Sequence, residues 1–449
     1  MAKTLPVLGV LDKLFIGTLL AIFGLIVVHA PLTVWLGTSF PDFDLTIKAW
    51  KELLMLPAAG LALALLHRYK RWDILRSPWI LLAAAYTVLH ILLTPVFFTG
   101  LEATVAGLMI DLRYIAFFAL VFVAALLYPQ LRRTFLYVFV AGALLVGTFA
   151  LAQVLLLPPD FLGALGYGPT TIQPFLTIDE NSDYIRISST MRGPNPLGAY
   201  AVIVLALLAA YMWRVKRAIR PSTAVLAGVL AIGSVVALWF SYSRSALVAA
   251  AVAVGLVFLL TLGRKLPRWL WIAGFVLAFA LGGALFAARD TSFVQNVILH
   301  ENQGTGGSVS SNEGHLDSLV DGTERKISQP LGAGIGSTGS ASLFTEETVI
   351  IENQYLFVAH EVGWLGVVLF VVLFVRILIQ TYKQRRDWLS LGVFASGVGL
   401  ALIGILLPVW VDDTVSIIWW GLAALAIGTY VKKGVKNGRT LNPTTKRTA

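Results

Sequence analysis

Two arginines in this 449-residue sequence stand where an anion would be welcome. Arg192 lies in "SSTMRGPNPLGAY", just ahead of an apolar run, and Arg244 lies in "WFSYSRSALVAA", a turn too short to leave a membrane surface between two apolar runs. A cation at a helix start works against the helix dipole, which favours negative charge there. Neither arginine therefore has an obvious local structural reason, and two guanidinium groups at the positive ends of helices would suit a diphosphate. The competing reading is a pair of snorkelling anchors or headgroup contacts. A carboxylate stands out as well. In "VIIENQYLFVAHEVGWLGVVLFVVLFV", residues 349–375, a loop becomes an apolar helix within a few residues, with Glu352, His360 and Glu361 at its mouth. An ionisable side chain costs ~2.5–3.5 kcal/mol at mid-bilayer and less near the interface, so such groups are usually paired, beside a cavity, or functional.

Other candidates compete with plainer roles. Arg113 in "IDLRYIAFFAL" has Asp111 and Glu102 in reach as partners, or joins the diphosphate site. His29 and His90, inside apolar runs, read as hydrogen-bonded packing residues. Asp412 and Asp413 in "LPVWVDDTVSIIWW" read as a solvated turn, and Trp410, Trp419 and Trp420 as an interfacial aromatic belt. The run "GAGIGSTGS" lacks the Lys-Ser/Thr of a phosphate-binding loop and no strand precedes it, so it reads as tight backbone bringing Glu352 against the membrane surface. No DxD pair, His-x-x-x-His or carboxylate cluster appears in the outer loops, which disfavours a metal cofactor.

These residues need a frame, and composition supplies one. The chain is 57% hydrophobic and 13% charged, with a mean hydropathy of +0.81, which excludes a soluble protein. There are no cysteines, so thiolate chemistry, disulfides and Cys-based metal sites are excluded. The first apolar run, Leu14 to Leu36, is long enough to span and lacks a small-residue cleavage site, so it is expected to remain in the mature protein. Hydropathy predicts an all-α polytopic membrane protein with about twelve spans. They fall near 14–36, 49–67, 78–96, 111–128, 134–157, 196–213, 222–240, 245–262, 269–287, 354–380, 388–408 and 414–431.

Charge then orients the bundle. The segments "HRYKRWDILR", "YPQLRR", "RVKRAIR", "GRKLPR" and "KQRRD" and the basic tail, residues 432–449, fall on one side with Lys3 and Lys13. The positive-inside bias puts both termini in the cytoplasm. On this topology 25 of the 34 Lys and Arg lie inside but only 3 of the 24 Asp and Glu, giving +22 within and −12 outside. That asymmetry accounts for the net charge of +10 without a nucleic-acid partner. The single membrane domain, 1–449, thus carries two long outer loops, 158–195 and 288–353. The second is expected to hold two short helices around a glycine-rich turn.

The motifs "STMRGPNPLGAY", "SYSRSALVA", "GHLDSLVDGTERKISQPLGAGIGSTG" and "ENQYLFVAHEVGWLG", in this order between apolar spans, resemble the O-antigen ligase and Wzy-type polymerase superfamily of bacterial envelope glycan assembly. The motifs occupy residues 189–366, and the topology matches across the chain. The resemblance implies a GT-C-like fold with a large extracytoplasmic loop. It also implies transfer of a glycan from an undecaprenyl-diphosphate carrier to a glycan or lipid acceptor hydroxyl, inverting and without metal or other cofactor, at the outer face of the bacterial cytoplasmic membrane. The family's two arginines fall on Arg192 and Arg244, with Asn195 close by. Its His-Asn-x-x-Leu motif falls on "ENQYL", with Asn353 and Leu356 in register and Tyr355 and Glu361 in support. Ligases have histidine where this chain has Glu352, which favours a polymerase, and His315 in "GHLDS" is placed to share the histidine's role. A ligase is the alternative. A secondary transporter is the rival from another class, though no repeat relates the two halves and the charges lie at the outer edge. A flippase or scaffold would leave Glu352 and both arginines dispensable.

Overall fold

The computed structural model describes residues 8–178, 181–215, 220–263, 282–291 and 327–436, with a few isolated positions between them. The chain is mainly helical. Its helices are α1 (Val10–Leu25), α2 (His29–Ser39), α3 (Asp44–Lys48), α4 (Trp50–Arg68), α5 (Pro78–Leu93), α6 (Leu101–Leu127) and α7 (Leu131–Leu155), followed by α8 (Pro194–Arg214), α9 (Pro221–Phe240) and α10 (Arg244–Leu262). Then come α11 (Gln354–Lys383), α12 (Trp388–Ile403) and α13 (Asp413–Lys436). Eight of these segments, with α1 and α2 counted as one, are long and apolar enough to cross a membrane, and α5, α12 and Asp413–Thr429 are shorter apolar helices. They coincide with eleven of the twelve expected spans; the other, 269–287, lies largely outside the described residues.

Local chemistry sets several helix boundaries. Proline opens α5, α8 and α9, where its missing N–H is no loss. Asp387 caps α12 by accepting the Ser390 N–H, and Asn353 caps α11 by accepting those of Tyr355 and Leu356. Among the described residues, the one departure from an all-α chain is a small antiparallel hairpin in the loop 158–195. There β1 (Leu176–Ile178) pairs with β2 (Asn181–Arg186), Leu176 opposite Arg186.

The core forms around α6 and α13. A helix hydrophobic on every side belongs inside, and α13 is buried from Val415 through Ile427. The expected aromatic belt is part of this core. Trp410, Trp419 and Trp420 are at most 2% exposed and pack on one another and on Phe374. Small residues let other helices close up, as membrane bundles require: a Cβ on Gly233 of α9 would lie 2.9 Å from the Gly147 Cα of α7.

The two ends of the bundle differ in chemistry. At the basic end, buried Asp12 accepts the hydroxyls of Tyr69 (2.7 Å) and Tyr128, and Arg132 pairs with Asp387 at 2.7 Å. At the other end, which carries the candidate residues, loops enter the bundle. The segment 330–339 packs against α6 and against the break in α11 at Val362 and Gly363, where Gly363 has φ = 68°. The expected outer helices of 288–353 fall mostly outside the described residues; what is described after Ile327 includes a short 3-10 turn, Gly339–Phe344.

Candidate functional site

Arg192 and Arg244 arrive through two loops that are tied together. After β2, the backbone passes through Ser189 in a left-handed conformation (φ = 49°), fixed because its N–H donates to Gln153 Oε1 (2.7 Å) and its hydroxyl to the Val146 carbonyl (2.8 Å). Arg192 follows, exposed, one residue before the extended Gly193 that precedes α8. The α9–α10 turn carries a second left-handed residue, Tyr242 (φ = 47°), and Ser243 stands just before Arg244, the first residue of α10. Non-glycine residues in this conformation are uncommon and recur at functional sites.

Two contacts bind the two loops, and a third holds Arg186 to the start of α8. The Ile187 N–H donates to the Phe240 carbonyl (3.1 Å), and Arg186 donates both to the Ser241 carbonyl (2.9 Å) and to Asn195 Oδ1 (2.7 Å). A Cβ on Gly198 would come within 2.7 Å of Ala246 Cβ, so the first turns of α8 and α10 lie side by side. The two expected arginines thus begin adjacent helices. Asn195 is the acceptor that orients Arg186, a residue that no motif in the sequence singled out.

The segment around Glu352 is built from the opposite side. Asn353 caps α11 at 2.9 Å to each N–H, and its Nδ2 donates to the Ile405 carbonyl (2.7 Å). The Gln354 N–H donates to the Gly404 carbonyl (2.8 Å) while its Oε1 accepts the Trp410 N–H (2.8 Å); the Tyr355 hydroxyl donates to the Ala401 carbonyl at 3.1 Å. Asn353 and Tyr355 therefore anchor α11 on the end of α12 and the α12–α13 connection and hold half-buried Glu352 at the helix mouth. Gln354 joins that anchor, although nothing in its residue type distinguished it.

The same connection reaches the arginines. Burial pushes the Asp412 carboxyl above its ordinary range and the neighbouring Asp413 adds to this, whereas the Val415 N–H, Arg113 and Arg192 pull it back. Arg192 and Arg113 thus lie within electrostatic reach of Asp412, and residues 404–412 stand between the arginine loops and the anchor beside Glu352.

Arg113 is committed elsewhere. Its Nη1 stands 2.5 Å from Asp413 Oδ1 and 3.8 Å from Glu52, its Nη2 donates to the Val411 carbonyl, and the side chain is 5% exposed. Asp413 also meets Lys51 (2.9 Å) and His29 (3.3 Å), and Trp50 Nε1 donates to His29 Nδ1 at 3.0 Å. Arg113 is accordingly a member of a buried charge cluster rather than a ligand-facing group. The pair Asp412–Asp413 is not the solvated turn its sequence suggested. His29 is the hydrogen-bonded packing residue expected, and so is His90, whose Nδ1 lies 2.8 Å from the Tyr86 carbonyl. The signal in the sequence is limited to Lys51 and Asp413 each opening an apolar run, which marks a charge at a span end without naming its partner.

Glu361 and the glycine run also find different work. The Gly336 N–H donates to Glu361 Oε1 (3.1 Å), the Ala333 N–H to the His360 carbonyl (2.6 Å), and the Thr99 hydroxyl to the Ile335 carbonyl (2.5 Å). Gly336 (φ = 80°) lies so close to α6 that a Cβ would meet the Ala103 carbonyl oxygen at 2.1 Å. These glycines let the loop enter between α6 and α11, where Glu361 receives it beside Asp111, instead of pressing Glu352 to the membrane. His315 lies outside the described residues. Comparison with models of known protein families gives no match, and comparison with curated proteins gives none.

Proposed function

We propose that the protein is a glycosyltransferase of bacterial envelope assembly, most concretely a Wzy-type polysaccharide polymerase with a GT-C-like fold. It sits in the cytoplasmic membrane with both termini inside and the site facing out. The observation that carries this reading is the pairing of Arg192 and Arg244 at the adjoining starts of α8 and α10, at the end of the bundle where α11 presents Glu352.

A sugar diphosphate is already activated. The enzyme must neutralise the departing diphosphate and remove or direct the acceptor's proton. Arg192 and Arg244, assisted by two helix N-termini, fit the first task through charge-assisted and bidentate hydrogen bonds. Glu352 fits the second, with His315 the next candidate base. Asn195 serves by holding Arg186 against the α9–α10 turn, Asn353 and Tyr355 by fixing the mouth of α11, and Glu361 by seating the glycine loop. The substrate is an undecaprenyl-diphosphate-linked oligosaccharide, the acceptor a growing glycan, and the reaction proceeds without metal or other cofactor.

The test is to incubate purified protein with a lipid-diphosphate oligosaccharide, with and without chelator. A chelator-insensitive ladder of lengths is expected. A single shift on a lipid acceptor identifies a ligase instead, and no product from a panel of such donors refutes the catalytic reading.

A further inference from the structure

At the basic end, the outer face of α11 carries a groove with a volume of about 520 Å³, lined by Val375, Leu378, Ile379, Tyr382 and Lys383 together with Phe394 of α12. From Val375 to Tyr382 it runs seven residues, or about 10 Å along the helix, roughly a third of a bilayer's hydrocarbon core. Apart from Lys383 and the Tyr382 hydroxyl, its lining side chains are hydrocarbon. It is shaped for an acyl chain that enters beside a polar head.

The mouth of the groove is cationic. Arg385 lies over the Tyr382 ring at 4.3 Å and donates to the Tyr382 carbonyl at 3.2 Å, which ties its charge to the groove. Arg385 and Arg386 are both within electrostatic reach of Arg214 at the end of α8. Arg214 uses Nη2 on the Leu260 carbonyl (3.2 Å), while its Nε is buried without a hydrogen-bond partner among the described residues. The nearest carboxylate in sequence, Asp387, is taken: it pairs with Arg132 at 2.7 and 2.9 Å and caps α12 through Ser390. Among the described residues no carboxylate pairs with Lys383, Arg385, Arg386 or Arg214.

A general excess of basic residues at one membrane face explains their number. It does not explain two cations set against their mutual repulsion at one apolar groove, Lys383 in its lining and Arg385 over the ring of Tyr382, with Arg214 and Arg386 adding positive charge within electrostatic reach of each other and of Arg385. We propose that this is a binding site for one anionic diacyl phospholipid. The phosphate lies between Lys383 and Arg385, and one acyl chain lies along Val375, Ile379 and Phe394. Basic pockets between membrane helices bind acidic headgroups in this way. The site is independent of the proposed transferase chemistry at the opposite end.

The experiment uses the full chain, delipidated in detergent, with thermal unfolding and native mass spectrometry as readouts. Phosphatidylglycerol is expected to raise the melting temperature saturably and to remain as one bound copy, while phosphatidylcholine with the same chains and inorganic phosphate do neither. The Lys383→Ala and Arg385→Ala variants should each weaken the apparent phosphatidylglycerol affinity by about five-fold, the usual worth of one basic residue at an anionic surface. Ile379→Trp should weaken it with every charge intact by filling the groove. Equal affinity for the two lipids, an equal response to phosphate alone, or unchanged affinity in both cation variants would overturn the site. Each variant's melting temperature without lipid sets its own baseline.

Discussion

Asp413→Asn tests the physical account of the buried charge cluster most directly. The carboxylate is within 3.3 Å of three groups that carry or accept positive charge: Arg113 at 2.5 Å, Lys51 at 2.9 Å and His29 at 3.3 Å. Lys51 and Arg113 are only 3% and 5% exposed, so water cannot replace what is removed. At an effective dielectric constant of about 20, the contacts of Asp413 with Lys51 and Arg113 each have a gross attraction of ~5–6 kcal/mol. Most of that offsets the cost of burying the charges in the first place. The measurable quantity is the cost of leaving cations behind, typically ~3–5 kcal/mol when one partner of a buried pair is deleted. Glu52, 3.2 Å from Lys51 and 3.8 Å from Arg113, remains as a counter-charge and holds the loss to the lower half of that range. At roughly 2 °C per kcal/mol for a large domain, the variant should melt about 6–8 °C below wild type in the same detergent. Adding Lys51→Met should recover part of the loss, because it removes a stranded cation; contacting residues of this kind are non-additive by ~0.5–3 kcal/mol. A melting temperature within a degree of wild type, or strict additivity in the double variant, would show that the cluster is solvated and the reasoning wrong.

Three further outcomes are expected. Asp412→Asn should be at least as stable as wild type at pH 7: with its folded carboxyl raised by burial and by Asp413, ionisation costs the folded state, and Asn keeps the cap on Val415. That advantage should grow as pH rises from the unfolded value of ~3.9 through the raised folded value and be absent below both, which melting curves across pH will show. Arg192→Ala and Arg244→Ala should each abolish turnover in the lipid-diphosphate assay while the proteins purify and melt normally, and Lys should rescue poorly for want of a planar fork; near-normal activity in either removes that residue from the site. Glu352→Gln should lose ~10²- to 10⁴-fold in single-turnover rate with donor binding kept, whereas a variant that melts lower yet turns over normally identifies Glu352 as no more than a helix-mouth residue.

How much of this was legible depends on the range of the interaction. Span positions follow from 20-residue averages of a one-body property, so the described helices fall where hydropathy put them. The arginine pair was legible for a related reason: a cation at a helix start is locally anomalous, and the anomaly survives without knowledge of the neighbours. Trp419 and Trp420 failed on the same logic reversed, since tryptophan's preference for interfaces is an average. Here α6 and α11 close over α13 and turn both rings inward, where Trp420 meets Phe118, Phe370 and Phe374.

Asp413 shows what local reading cannot reach. Its partners come from three other helices, His29 from α2, Lys51 from α4 and Arg113 from α6, at separations of hundreds of residues in sequence. No pattern within one segment announces a four-helix meeting. The cluster nonetheless sharpens the reading of the arginines. In the low-dielectric edge of a bundle a cation is held by a carboxylate or by neutral oxygen acceptors of the fold, or is left for some other anion. Arg113 and Lys51 have found theirs in Asp413 and Glu52, Arg132 has found Asp387, and Arg186 is held by Ser241 and Asn195. Arg192 differs from all of these in standing exposed, beside a helix N-terminus and within reach of a carboxyl that burial keeps reluctant to ionise. That contrast, between cations engaged by the fold and one standing exposed on it, is the physical ground on which a diphosphate is the ligand to offer first.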